Sequence, residues 1–216
     1  MHNKLLIRDR KEIMCNNVCY SYPPFVGNIL ETRDKILSKR LYLTSFKENV
    51  SLIHSVIMNN NNDFTCDIIE RLKENILWCF TLLLVMPGDG VYIKDMRRSF
   101  MMNEVKIIES IKRGKEVNGV KYSTDKKIRF VPFGYNADNR TANHPLYIAL
   151  AGEDGAKQLE DIASKYSNKP CLFSPENIEQ KATYATALNS NYKGDGLGIY
   201  INCRGACSRS IAFGKY

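Results

Sequence analysis

The chain has 216 residues, and 44% of them are hydrophobic, which is enough to build the core of one medium domain or two small ones. Its 31 lysines and arginines outnumber its 23 aspartates and glutamates and give a formal charge of +8. Such a surface attracts phosphate, nucleic acid or acidic partners more than it attracts cations. The longest apolar run, ILWCFTLLLVM at 76–86, is too short for a membrane span, which needs about 20 residues.

The first residues, MHNKLLIRDRKEI, do not resemble a secretion signal, because charges interrupt them throughout and no apolar block is present. The chain contains seven cysteines, which is an odd number. That number favours reduced thiols in an intracellular, reducing compartment over a disulfide framework. We therefore expect no membrane span, no structural disulfides and no bound cofactor.

Residues 27–113 have a mainly helical pattern. Ser45 and Glu48 have the spacing of a capping box ahead of a series of apolar positions, so a helix is predicted to begin there. A second helix is predicted over 64–86, where an amphipathic stretch passes into the apolar run before a Pro-Gly pair ends it. A third is predicted over 95–112, where apolar residues recur at helical spacing.

The pattern changes near residue 114. Asn118 and Gly119 stand between two short extended arms, which predicts a β-hairpin because both central residues of its turn need positive φ. The letters KIRFVPFGY predict a strand at 127–135, and GIYIN predicts another at 198–202.

Three further elements are predicted between those two strands. Residues 145–166 are predicted to form a helix that is broken near Gly152. Residues 171–173 are predicted to form a short strand. Ser174, followed by Pro175 at the first helical position, predicts the start of another helix.

These elements predict an α+β fold, or an α/β fold, in which a helical N-terminal half packs on a C-terminal sheet. The boundary between the mainly helical half, 1–113, and the half with alternating strands and helices, 114–216, lies near residue 114. The two halves are expected to form one cooperative domain, and no internal repeat is present.

The stretch INCRGACSRS places a cysteine and an arginine in a Cys-x5-Arg-Ser pattern directly after a predicted strand. Over residues 203–210 this pattern resembles the phosphate loop of protein tyrosine phosphatases, and most closely that of their low-molecular-weight branch. The resemblance implies a nucleophilic thiolate at Cys203, an oxyanion clamp at Arg209 and a thiolate-stabilising hydroxyl at Ser210. It implies a thiol-dependent, phosphatase-like hydrolase of a phosphorylated or otherwise anionic substrate.

The same cysteine allows a second interpretation. A cysteine after a strand also resembles the nucleophile turn of caspase-type proteases, and His144 lies upstream at a spacing close to the roughly fifty residues of that family. The resemblance implies a cysteine protease with a Cys203/His144 pair. His54 lies among the apolar residues of a predicted helix, which favours a core position for it.

A third interpretation concerns metal. Cys15 and Cys19, and likewise Cys203 and Cys207, have the spacing of half a zinc site, and four thiolates together would close a tetrahedral centre. Buried thiols that act as small apolar side chains are the alternative for all the cysteines, and we expect no metal.

Basic residues are concentrated in two stretches of the sequence. The first stretch contains Lys4, Arg8, Arg10, Lys11, Arg33, Lys35, Lys39 and Arg40. The second contains Lys112, Arg113, Lys115, Lys121, Lys126, Lys127 and Arg129. Each predicts either a solvated face or a nucleic-acid-binding groove. The alternative to a thiol enzyme is therefore a non-enzymatic basic protein that binds an acidic partner or nucleic acid.

Overall fold

A computed structural model describes residues 5–8, 12–58, 63–98, 103–134, 143–165, 171–172, 179–189, 197–203 and 209–216. The helices are α1 (Ile29–Ser38), α2 (Phe46–Met58), α3 (Asp63–Glu74), α4 (Glu104–Lys112) and α5 (Pro145–Ser164). The strands are β1 (Leu5–Arg8), β2 (Glu12–Cys15), β3 (Val18–Ser21), β4 (Phe25–Val26), β5 (Tyr42–Leu43), β6 (Ile76–Met86), β7 (Gly90–Asp95), β8 (Lys115–Val117), β9 (Val120–Tyr122), β10 (Ile128–Pro132), β11 (Cys171–Leu172), β12 (Ala182–Asn189), β13 (Gly198–Cys203), β14 (Ser210–Ala212) and β15 (Gly214–Lys215).

A ten-stranded sheet forms the centre of the protein, with β6 as a middle strand. The strand order along its main path is β11-β13-β12-β6-β7-β10-β9-β8. Neighbours on this path are antiparallel except for β11 and β13, which are parallel. β14 pairs in parallel with the start of β6, on the side that β7 occupies further along, and β4 pairs with β14.

A second sheet of five strands has the order β1-β2-β3-β15-β5. Its strand β15 lies between β3 and β5, although it is the last strand of the chain. The backbone N–H of Tyr216 donates to the Cys19 carbonyl at 3.0 Å, and Thr44 Oγ1 donates to the Phe213 carbonyl at 2.9 Å. The C-terminal residues therefore join the N-terminal hairpin to the rest of the fold.

Helices cover both faces of the large sheet. Because successive strand residues point to opposite faces, β6 contributes to a core on each side. Leu77 and Leu83 belong to the larger core, which α2, α3 and α5 cover. Trp78 and Phe80 belong to the core beneath α1, and Tyr92 on the same face belongs to the core beneath α4.

The mixed α+β class is confirmed, but the prediction of a helical N-terminal half is wrong. Strands β1, β2 and β3 come first, and the apolar run at 76–86 is the strand β6, so Cys79 lies in a strand. Helices cover β6 on both faces, and a strand buried on both faces reads as a continuous apolar run, which periodicity alone cannot distinguish from a buried helix. The predicted helix over 95–112 is wrong in its first part, because β7 ends at Asp95 and α4 begins at Glu104.

Several local predictions are confirmed. Asn118 and Gly119 form the turn between β8 and β9 with φ of 51° and 74°. Ser45 and Glu48 form a capping box: the Ser45 N–H donates to Glu48 Oε2 at 2.8 Å, and the Glu48 N–H donates to Ser45 Oγ at 3.3 Å. Gly152 interrupts α5 with φ of 75°. Each of these features depends on residues close together in the chain, which is why the sequence carries them.

Strands near the predicted positions 127–135, 171–173 and 198–202 are present as β10, β11 and β13. The strand β12 was not predicted, and it pairs antiparallel with both β13 and β6. The helix predicted to start at Ser174 lies outside the described residues. Among the described helices, none has the length and apolar character needed to cross a membrane.

Candidate functional site

Two open grooves lie on either side of the turn 123–127, which joins β9 to β10. Groove 1, of about 560 Å³, lies between α4 and this turn, and groove 2, of about 660 Å³, lies between the turn and residues 94–98. Asp125 lines both grooves. We call the two grooves and the turn between them the basic surface. Its cations are Lys106, Lys112 and Arg113 in groove 1 and Lys94, Arg97, Arg98, Lys126 and Lys127 in groove 2.

Asp125 holds the turn between the grooves. Its Oδ1 accepts hydrogen bonds from Ser123 Oγ at 2.7 Å and from the Lys127 N–H at 3.1 Å, and its Oδ2 lies 3.5 Å from Lys127 Nζ. Ser123 Oγ in turn accepts from the Ile128 N–H at 3.0 Å. The hydrogen bond from Ser123 and that from the Lys127 backbone lower the pKa of Asp125. The turn is thus ordered by its own side chains, and Asp125 is ionised at neutral pH.

The fixed orientation of α4 supplies the lysines of groove 1. Ile107 and Ile111 are buried against the sheet, which leaves Lys106 and Lys112 exposed on the other side of the helix. Asn103 caps the helix by accepting a hydrogen bond from the Lys106 N–H at 3.1 Å. Lys112 lies in the last turn, where the helix dipole favours a cation.

Groove 2 takes cations from the end of β7 and from the residues after it. Arg97 and Arg98 are exposed, and Lys94 is half-buried. Arg98 is held in place by Tyr42: its Nη2 donates to the Tyr42 hydroxyl at 2.9 Å, and its guanidinium lies 4.5 Å from the centre of the Tyr42 ring. This contact positions one cation of the groove before any ligand is bound.

A half-buried ion pair lies at the margin of groove 2. Arg129 Nη1 and Nη2 donate to the two carboxylate oxygens of Asp95 at 2.7 and 2.9 Å, and Thr81 Oγ1 donates to Asp95 Oδ1 at 2.6 Å. The Arg129 side chain is 12% exposed and that of Asp95 is 31% exposed. Burial by itself raises the pKa of Asp95, but attraction to Arg129 and the hydrogen bonds outweigh it and hold this pKa below its usual value. Arg129 is therefore a structural cation.

Most cations of the basic surface have no carboxylate partner. Lys127 pairs with Asp125, and Arg98 is held on Tyr42. In the part of the chain that the structure describes, six have no ion pair: Lys94, Arg97, Lys106, Lys112, Arg113 and Lys126. The carboxylates that line the grooves are Asp95, Glu109 and Asp125, and the first is neutralised by Arg129. The field in the grooves is therefore positive and suits an anion.

The basic surface agrees in part with the basic stretch predicted at 112–129. Lys112 and Arg113 of that stretch line groove 1, and Lys126 and Lys127 line groove 2. Four cations were missed in the sequence, namely Lys94, Arg97, Arg98 and Lys106. The stretch KDMRR contains the signal for three of them, but the prediction of a helix over 95–112 concealed that they follow a strand.

The first basic stretch is less available to a ligand. Arg33 Nη2 lies 2.7 Å from Asp34 Oδ1, and Lys35 Nζ donates to the Val26 carbonyl at 2.7 Å. Lys39 and Arg40 are exposed after the end of α1. The residues at 4, 10 and 11 and the side chain of residue 8 lie outside the described part of the chain. None of its described residues lines groove 1 or groove 2.

The predicted phosphate loop lies only partly within the described residues. Cys203 is the last residue of β13, between β11 and β12 in the sheet, and its side chain and residues 204–208 are not described. Arg209 is exposed, and its carbonyl accepts from the Ile76 N–H at 3.1 Å. Ser210 is fully buried, and its Oγ donates to the Gly27 carbonyl at 2.7 Å. Its hydroxyl proton is thus used within the fold.

His144 and His54, the two histidines considered in the sequence analysis, both make contacts that hold helices in place. His144 is buried and caps α5: its Nδ1 accepts from the Leu146 N–H at 3.1 Å, and its ring lies 5.3 Å from that of Tyr147. His54 Nε2 lies 3.1 Å from Asp161 Oδ2 and so connects α2 with α5. Each histidine therefore already uses a ring nitrogen in a contact that holds the helices in place.

The hairpin of β2 and β3 argues against a four-cysteine zinc site. Cys15 pairs with Val18 and Cys19 pairs with Met14, so the two cysteines lie on opposite faces of the hairpin. Cys15 is buried, with its Sγ 3.0 Å from Ser55 Oγ, and burial raises the pKa of its thiol. The two thiols cannot bind one ion together. Nor does the described part of the chain hold any group of three or more metal-ligating side chains.

No family model, curated protein or solved structure matches the chain. Its function is therefore inferred from the arrangement of its own side chains, and the basic surface is the most completely described of the candidate sites.

Proposed function

We propose that this protein is a non-enzymatic binding module that holds a polyanionic partner on the basic surface. The observation that supports this function is the convergence on two adjoining grooves of six cations, from α4 and its end, the end of β7 and the turn 123–127, that have no ion pair among the described residues. These elements are ordered by buried isoleucines, by the Tyr42 contact and by Asp125, so the cations are positioned before binding.

The composition of the grooves favours binding over catalysis. No cysteine or histidine is among the described residues that line them, so they offer neither a thiol nucleophile nor an imidazole base. Clustered lysines and arginines bind a polyanion by displacing its condensed counterions, and this attraction weakens steeply as salt is added. The expected ligand is therefore long and multiply charged.

The test compares two pairs of charge reversals. Lys112→Glu with Lys126→Glu changes one exposed lysine in each groove. Lys157→Glu with Lys165→Glu makes the same change in net charge on α5, which covers the opposite face of the sheet from α4. The wild-type protein is expected to be retained on immobilised heparin. The double variant of the grooves, at Lys112 and Lys126, should elute at much lower salt than the double variant at Lys157 and Lys165. Only the first removes cations that contact the polymer.

Equal shifts for the two pairs would mean that heparin responds to total charge and that the grooves are not a site. Circular dichroism and the urea midpoint serve as the control for folding. All four lysines are exposed, and each pair has one lysine at a helix C-terminus, so the free energy of unfolding of both variants is expected to fall equally, by about 1 kcal/mol or less.

A second candidate function is a thiol-dependent hydrolase of phosphorylated or anionic substrates that uses Cys203 and Arg209. It is favoured by the anchoring of the loop, since Cys203 ends β13 and Ser210 begins β14 in the same sheet. Cys203→Ser should abolish hydrolysis of an aryl phosphate. Arg209→Lys should lose most of the activity, because an ammonium cannot make the planar two-point contact of a guanidinium.

A substitution at Ser210 distinguishes a catalytic role of its hydroxyl from a purely structural one. If its hydroxyl supports a Cys203 thiolate, Ser210→Ala should slow alkylation of Cys203 near pH 6, and vanadate should protect that thiol in the wild-type protein. If its contact with Gly27 is its whole role, the variant should lose only about 1–2 kcal/mol of stability. Absence of phosphate hydrolysis together with an unreactive Cys203 would eliminate the enzyme hypothesis and leave the binding function unaffected.

A further inference from the structure

The turn 123–127 is a ridge between two concave grooves. Residues 124–127 are all exposed, and groove 1 and groove 2 meet at Asp125, which lines both. A polyanion that uses all the cations of the basic surface must therefore cross the ridge and enter a groove on each side of it.

The ridge does not simply fold away to admit a straight ligand. Asp125 links Ser123 to the Lys127 backbone, and Ser123 Oγ accepts from the Ile128 N–H. The Lys126 N–H also donates to the Ser123 carbonyl at 2.8 Å, and the Ser123 N–H donates to the Ile128 carbonyl at 2.9 Å. These contacts close the turn at the end of the β9–β10 hairpin. The ligand, rather than the turn, has to bend.

We infer that the ligand of the basic surface is a single-stranded nucleic acid that crosses the turn 123–127 and places phosphates in both grooves. This inference rests on the proposed polyanion-binding function. A duplex is a straight rod on the scale of this protein, since its persistence length is about 50 nm, and it could place phosphates in both grooves only by taking the exposed turn into its own major groove. A single strand bends at every nucleotide and can follow a charged groove.

The lining predicts contacts with the strand's backbone rather than with its bases. Among the described residues that line the grooves, none is aromatic, so the grooves lack the rings on which proteins stack the bases of a single strand. Thr124 adds an exposed hydroxyl group next to the cations, and hydroxyls are common donors to phosphate oxygens. Binding should therefore depend little on sequence.

Asp125 lies beneath the path of such a strand. Its carboxylate repels each phosphate that crosses the ridge, while its Oδ1 orders the turn. Asp125→Asn retains an oxygen that can accept from Ser123 and Lys127 and removes the negative charge. Removing one like charge at contact distance is worth a factor of about five in affinity at low salt.

The experiment measures fluorescence anisotropy of labelled, mixed-sequence oligonucleotides of about 20 nucleotides, as a single strand and as a blunt duplex. The single strand is expected to bind at least about ten-fold more tightly than the duplex. Lys112→Ala in groove 1 and Lys126→Ala in groove 2 should each weaken single-strand binding. Each should also reduce the slope of log affinity against log salt by about 0.7, the value for one lost phosphate contact on a single strand.

Any of the following outcomes would overturn the inference while the polyanion-binding function stands on its heparin result. The duplex binds as tightly as the single strand, or polyglutamate of equal charge competes as well as the single strand does, or only one of the two lysine variants changes the salt slope. Asp125→Asn provides an independent measurement, since unchanged affinity in a folded variant would mean that the strand does not cross the ridge. If heparin does not distinguish the double variant of the grooves from the double variant at Lys157 and Lys165, the proposed function itself fails.

Discussion

Asp95→Asn tests the view that Arg129 is a structural cation. The change keeps the shape of the side chain but removes the charge that pairs with a guanidinium only 12% exposed, whose Nε already has no hydrogen-bond partner among the described residues. Removing one partner of a fully buried pair costs about 3–5 kcal/mol, and an exposed pair contributes about 0–1 kcal/mol. Asp95 is 31% exposed and the amide can still accept one hydrogen bond, so we expect a loss of about 2 kcal/mol.

Urea unfolding at neutral pH measures this loss, with the fluorescence of Trp78 as the signal. Trp78 is the only tryptophan and is fully buried in β6, so its emission reports on the core. A loss of that size corresponds to a fall in melting temperature of about 4–8 °C for a chain of this length. Glu109→Gln is the matched control, because Glu109 lines groove 1 but is exposed and unpaired within the described residues, and it should change stability by less than about 0.5 kcal/mol.

The pH dependence of the free energy of unfolding gives a second test of this ion pair, and the direction of the change is fixed in advance. The pKa of Asp95 is lower in the folded state than in the unfolded chain, where it is about 3.9, so the ionised carboxylate stabilises the fold. The gap in unfolding free energy between wild type and Asp95→Asn should be constant above about pH 5 and should narrow as pH falls through the folded-state pKa. A gap below about 0.5 kcal/mol at neutral pH, or one that does not narrow in acid, would refute the structural role of the pair.

Two further predictions concern packing and thiol chemistry. Gly90→Ala would place a Cβ 2.2 Å from the Val131 carbonyl oxygen, and the strain should cost about 1–3 kcal/mol in urea unfolding; an unchanged midpoint would mean that β7 and β10 separate easily. Iodoacetamide at pH 8 should modify Cys66, which is exposed, well before Cys15, whose thiol is buried and has a raised pKa; equal rates by peptide mapping would contradict the burial of Cys15.

The sequence predicts features that depend on neighbours in the chain and fails where distant segments decide the structure. The Asn118-Gly119 turn and the Ser45/Glu48 capping box need only local hydrogen bonds and backbone angles, and both are present. The run at 76–86 is apolar because helices cover β6 on both faces, and that burial is fixed by packing which no local pattern reveals. The same limitation explains why β12 was not predicted.

The candidate site was predictable to the extent that its cations are neighbours in sequence. Lys112, Lys126 and Lys127 belong to one basic stretch and also line the grooves. Lys94 and Arg97 join them only because β7 pairs with β10, so that residues about thirty positions apart meet at one edge. No spacing pattern in the sequence indicates that these cations come together in the fold.

Arg129 and Lys215 show that the number of cations in the chain exceeds the number available to a ligand. Arg129 pairs with Asp95 between β10 and β7, and Lys215 pairs with Glu48 between β15 and the first turn of α2. Both hold strands in place, so their removal should lower stability whatever the protein binds. Lys112 and Lys126 are exposed and have no carboxylate partner in the described chain, so their removal should lower affinity and change stability by less than about 1 kcal/mol. Stability and binding can thus be altered separately, and this is why the charge variants can test function without disturbing the fold.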